Sequence, residues 1–123
     1  MRLLIVIFLF ACSAFAQAGC DDPRANVQLL KNDGMVFIGP ISIDKVEKEH
    51  LIIIDVEGGK KEVIFGRINH QWLKVKEHLA SGALLYSISS SEEQWQKPLS
   101  GAIKGYAAIK NGCVVEAIIT MIS

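Results

Sequence analysis

The sequence has no excess charge of either sign. Its 123 residues carry 13 Lys and Arg against 13 Asp and Glu. A nucleic-acid partner is therefore not expected, because such binders carry a strong basic excess. Half the residues are hydrophobic and 21% are charged, which excludes a disordered polyelectrolyte. Low-complexity tracts, linkers and charge runs are missing, and the length suits one domain. The glycines form neither a P-loop nor a dinucleotide fingerprint. The three histidines, His50, His70 and His78, have no metal-ligand spacing. No metal and no cofactor are expected.

What is present begins with an apolar leader. Arg2 is the single charge before Asp21, and Leu3 to Ala11 is continuously apolar. Small residues then lead to Ala16-Gln17-Ala18. A short positive start, an apolar stretch and an A-x-A site make a secretory signal peptide. Residues 1–18 are read as a cleaved signal peptide and 19–123 as a single exported domain, periplasmic or secreted, with no membrane insertion after cleavage. The alternative is an uncleaved anchor, since Leu3 to Cys20 is near the lower length limit for a bilayer span. Ala18-Gly19-Cys20 also resembles the end of a bacterial lipobox, with Gln17 where that pattern prefers Leu. The resemblance implies a lipid anchor at Cys20.

Cys12 lies in the leader, so Cys20 and Cys113 remain as an even pair. In an oxidising compartment they are expected to form a disulfide. Closing a loop of roughly 90 residues stabilises by about 4–5 kcal/mol in the chain-entropy model.

The rest of the chain is mostly strand-like. Val27–Leu30 and Met35–Ile38 flank Asn32-Asp33-Gly34 and read as a hairpin. Ile41–Asp44, after Pro40, reads as a new strand or an edge continuation. His50–Val56 is a strong β run whose unbroken apolar centre predicts burial on both faces. Lys61–Gly66 is its partner across a Gly-Gly turn. Ile68, Trp72, Val75 and Leu79 share one helical face, with Asn69 as the cap and Gly82 beyond the end. Ala83–Ile88 reads as a strand. Ser90 and Glu93 have capping-box spacing for a short helix that Pro98 stops. Lys104–Lys110 and Cys113–Thr120 flank Asn111-Gly112, a type I′ hairpin signal. Both faces of that hairpin are largely apolar, which predicts a central position. The sum is an α+β domain: an antiparallel β-sheet of about seven strands with one or two short helices.

Little of this carries chemistry. Ser42-Ile43-Asp44-Lys45 matches S-x-x-K by letter, but a strand there would put the two side chains on opposite faces. A two-residue turn at Asn111-Gly112 sets Glu116 beside Ala107 on an apolar face, where a carboxylate needs a partner or has a raised pKa, unless the face is partly solvated near an edge or Glu116 pairs with a lysine such as Lys104 or Lys110. Trp72 belongs to the core. Trp95, among Glu92, Glu93, Gln94, Gln96 and Lys97, is either a staple or a partner anchor.

The expected function is therefore a small exported binding protein of the cell envelope. It would be an inhibitor or immunity protein occluding a partner protein such as a toxin or hydrolase. Glu92, Glu93, Trp95 and Tyr106 are the expected partner-binding residues, and no catalytic residues are assigned. The alternatives are a small secreted hydrolase using Glu116 or a histidine, and a lipid-anchored structural or ligand-binding envelope protein.

Overall fold

The computed structural model describes residues 19–123, so the leader and Cys12 lie outside the described residues. In chain order the elements are α1 (Val27–Asn32), β1 (Val36–Ile38), α2 (Ile43–Glu49), β2 (Leu51–Val56), β3 (Gly59–Ile64), α3 (Asn69–Ala80), β4 (Leu84–Ser89), α4 (Glu92–Trp95), β5 (Ile103–Lys110) and β6 (Cys113–Ile122). Short 3-10 turns occupy Pro23–Ala25 and Gly66–Ile68. The strands form two antiparallel sheets, one of four strands in the order β1-β4-β5-β6 and one made of β2 and β3. The class is α+β, with six strands among the described residues instead of seven and four α-helices instead of one or two.

Two expected strands are helices. Val27–Leu30 lies in α1 because the Asn26 side chain accepts from the Leu29 N–H and caps a helix start. The Asn-Asp-Gly that resembles a hairpin turn ends this helix. Gly34, at φ 101°, donates to the Lys31 carbonyl, and Met35 donates to that of Leu30. A positive-φ glycine serves a hairpin turn and a Schellman cap equally well, so the letters alone do not separate them. Ile43 and Asp44 begin α2, capped by the Ser42 hydroxyl, which accepts from the Lys45 N–H. Ser42 and Lys45 are therefore joined at a helix start through the Lys45 backbone N–H, with the hydroxyl engaged as a cap.

The core lies between one face of the larger sheet and helices α2 and α3. Trp72, Val75, Val46, Phe65, Leu85, Ala83, Ala108 and Ile118 form it. The spacing of Trp72 and Val75 places both inward on α3, as expected, and both are fully buried. Asn69 opens this helix without capping it, since its side-chain amide donates to the Ile64 carbonyl. Gly82, at φ 105°, follows the end. The Trp72 indole donates to Glu47 at 2.9 Å, and Lys76 adds an ion pair at 3.2 Å. The indole bond, helped by Lys76, holds the Glu47 carboxyl below the usual carboxylate range.

β5 and β6 meet through Asn111-Gly112 as predicted, both at positive φ. Their register is not the one the two-residue turn alone gives. Ile109 pairs with Val114, but Ala108 pairs with Glu116. A bulge of one extra residue in β6 shifts the pairs from Ala108 to Gly105 by one, and a second irregularity between Gly105 and Lys104 shifts the last pairs again, so that Lys104 pairs with Met121. The hairpin is also only half central, because β5 is interior and β6 lies at the sheet edge. Cys20 is bonded to Cys113, tying residues before α1 to the start of β6. The Cys20 sulfur is thus committed to Cys113 and not free for a lipid thioether. Among the described residues no helix is long and apolar enough to cross a membrane.

Candidate functional site

Helix α2 ends at Glu49 with His50 as its C-terminal cap, and β2 starts at the next residue. The Phe65 N–H donates to the His50 carbonyl, so the base of the β2–β3 hairpin closes at this pair. Phe65 holds φ 62°, a left-handed conformation uncommon for a residue with a side chain. That turn lays its ring on His50, with centroids 4.4 Å apart, and against Trp72 at 5.2 Å. Tyr106, from β5, completes the cluster. Its hydroxyl lies 2.7 Å from His50 Nε2, and its ring meets both His50 and Phe65 edge-on.

Burial pushes the His50 imidazole below its ordinary value, with Lys104 acting the same way and Glu49 opposing. Burial, helped by Glu49, raises the Tyr106 hydroxyl. Both groups are therefore neutral near pH 7. When the imidazole proton sits on Nδ1, the tyrosine hydroxyl donates to Nε2. The pair borders a cavity of about 240 Å³ lined by Glu49, His50, Lys104, Gly105, Tyr106, Thr120 and Met121. It can exchange a proton within one hydrogen bond and offers an acid, a base and two hydroxyls to a small polar ligand.

The second feature is the β2–β3 hairpin itself. Its expected burial on both faces is not found. Ile52, Ile53, Ile54 and Val56 are 46%, 61%, 38% and 44% exposed. The β2 sequence resembles a buried strand, but among the described residues its only sheet partner is β3. Ile64, at the base, packs on the core, whereas residues from Leu51 to Glu62 are all exposed. The register puts Ile52, Ile54 and Val56 on one face with Val63 and Lys61. Leu51, Ile53 and Asp55 share the other with Lys60, Glu62 and Ile64. Continuous exposed apolar surface of this kind marks interaction sites.

Of the residues expected to bind a partner, Glu92 and Glu93 lie exposed on α4. That helix is capped by Ser91, whose hydroxyl accepts from the Gln94 N–H. Ser90, the expected cap, is buried instead, and its hydroxyl accepts from the Ile103 N–H. Glu93 borders an open polar depression with Ser91, Gln94 and Lys97. Trp95 is half-buried, and its indole donates to Ser89. Tyr106 takes His50 and Phe65 as its aromatic neighbours. Glu116 pairs across the sheet with Ala108, not Ala107, because of the bulge. It is half-exposed and lies 3.8 Å from His78 on α3, so its neighbour is neither Lys104 nor Lys110.

Sequence reading missed the pairing of His50 with Tyr106. The two are 56 positions apart, and nothing local in either segment points to the other. Among the described residues no group of three or more His, Cys, Asp or Glu side chains is placed to hold a metal ion. The sequence matches no protein-family model, no curated protein and no solved structure.

Proposed function

We propose that this is a small exported binding protein of the cell envelope, an inhibitor or immunity protein that occludes a partner protein such as a toxin or hydrolase. The observation that carries the reading is the projecting β2–β3 hairpin, which keeps Ile52, Ile54 and Val56 exposed on one face. Leaving such side chains in water forgoes roughly 25 cal/mol for every Å² of apolar surface that contact would cover. A projecting apolar element is suited to filling a cleft in another protein. The disulfide is compatible with an oxidising compartment, and the leader supports export. Glu92, Glu93 and Trp95 on α4, with Tyr106, are the second contact region of the same proposal.

The test is capture of a one-to-one partner from envelope and culture fractions, comparing the wild-type protein with Val56→Lys. Val56 is exposed on the apolar face, so the variant is expected to fold. Loss of capture in Val56→Lys with unchanged circular dichroism is the expected result. Equal capture by both proteins removes the hairpin from the interface. Absence of any stoichiometric partner removes the reading. The hydrogen-bonded His50–Tyr106 pair beside its cavity favours a second reading, a small hydrolase working through a histidine. Turnover that disappears in His50→Gln would replace the binding reading.

A further inference from the structure

The β2–β3 hairpin has two outer edges, and their chemistry differs. The hairpin closes through Val56 and Gly59, and the Phe65 N–H reaches the His50 carbonyl at its base. In an antiparallel ladder, hydrogen-bonded pairs alternate with non-bonded ones. The bonded pairs are therefore Ile52–Val63, Ile54–Lys61 and Val56–Gly59. The non-bonded pairs are Leu51–Ile64, Ile53–Glu62 and Asp55–Lys60. Backbone N–H and C=O groups of the non-bonded residues point outward. The free edge of β2 thus presents those of Leu51, Ile53 and Asp55, and the free edge of β3 presents those of Lys60, Glu62 and Ile64. No third strand pairs with either edge among the described residues.

A twofold axis joining two copies through one of these edges passes either through an outward-pointing residue, as a hydrogen-bonded pair, or through an inward-pointing one, as a non-bonded pair. On β3 an axis at Lys60, Lys61 or Glu62 sets two like charges against each other, and an axis at Val63 needs pairing by Ile64 and the buried Phe65. Ile64 packs against the core. Charged side chains on an edge are the usual protection against strand addition. On β2, an axis at Asp55 opposes two carboxylates, whereas axes at Ile52, Ile53 and Ile54 oppose none, and of these the axis at Ile53 pairs the outward groups of Leu51, Ile53 and Asp55 together. It sets Ile53 against its counterpart and Ile52 against Ile54 of the second copy. Leu51 then stands opposite Asp55, keeping the two aspartates apart. All three outward N–H groups and all three outward C=O groups find partners in this register.

We propose that β2 is a homodimerisation edge, and that two copies of this chain join by antiparallel β2–β2 pairing centred on Ile53. The result is an intermolecular four-stranded sheet with an isologous interface. The three central residues Ile52, Ile53 and Ile54 oppose aliphatic side chains across the new seam, at the spacing where cross-strand pairs stabilise a sheet. Pairing uses the edge of the hairpin and leaves Val56 and Val63 on its face. It is therefore independent of partner capture, and the two fail separately: one is read by mass, the other by capture.

The experiment is sedimentation equilibrium of the oxidised protein recovered from an exporting host, across the micromolar range. The wild-type protein is expected at twice the chain mass. Ile53→Lys and Ile53→Glu each place like charges on the axis and are expected to weaken the dimer by more than about tenfold. Mixing the two variants opposes unlike charges and is expected to restore the dimer. Glu62→Lys, on the other edge, should leave the mass unchanged. Because Ile53 is the most exposed residue of the hairpin's aliphatic set, both variants are expected to keep the wild-type circular dichroism. A monomeric wild-type protein overturns the proposal, including the case in which a foreign protein occupies β2. So does a dimer of unchanged strength in both variants, or a mixture of folded variants that stays monomeric.

Discussion

Phe65 holds a left-handed backbone so that its ring can stack on His50 and reach Trp72. Such a conformation costs of order 1 kcal/mol or more and persists where surrounding contacts hold it. The cluster it completes has a consequence for pH. Burial keeps the His50 imidazole below its ordinary value of 6.5. In the unfolded chain the same ring takes up a proton near that value. Between the native and unfolded values the unfolded state binds more protons, so stability falls as pH falls. This contribution is fully present above 6.5 and is lost as pH drops through the lowered native value. Urea midpoints measured from about pH 7 to about pH 5 should decrease for the wild-type protein, with a shallower decrease for His50→Gln. An identical slope in both would show that His50 is not the titrating group. Glu47, whose carboxyl is also lowered, acts in the same direction but in the more acidic range.

Within the elements, local rules were legible where one residue pattern served one purpose. The α3 stripe and the Asn111-Gly112 turn are such cases, because a 3.6-residue period and paired positive-φ residues have few alternative uses. The β6 bulge was not legible, since Val114 to Ile119 is apolar on both faces but for Glu116 and offers no clear alternation for an extra residue to interrupt. Its effect is to bring Glu116 beside His78 and to change the partner of Gly105 from Ile118 to Ile119. A side-chain carbon on Gly105 would collide with the Ile118 carbonyl oxygen, which is backbone and cannot swing aside. Gly105→Ala should therefore destabilise the protein by about 3 kcal/mol, as overpacking against a rigid neighbour does. A denaturant midpoint unchanged from wild type would show that the strands do not approach so closely there.

For the whole molecule, the disulfide is the longest-range constraint, joining positions 93 apart. Cross-linking so large a loop removes conformational freedom chiefly from the unfolded chain, by about 4–5 kcal/mol in the entropy model. Reduction should lower the denaturant midpoint sharply, and Cys113→Ala should reproduce the loss without reductant. Equal midpoints with and without reductant would remove the bond from the stability account. By itself the sequence determined the cysteine pairing, the α+β class, the apolar face of α3 and the last hairpin turn. Each follows from composition or from contacts between near neighbours. Only the tertiary structure decided that β2 stands exposed on a projecting hairpin, because an aliphatic strand reads the same whether protein or water lies against it. It also brought Tyr106 to His50 and Glu116 to His78. Those meetings depend on strand register and helix placement, which are set by packing across the fold and not by adjacent residues.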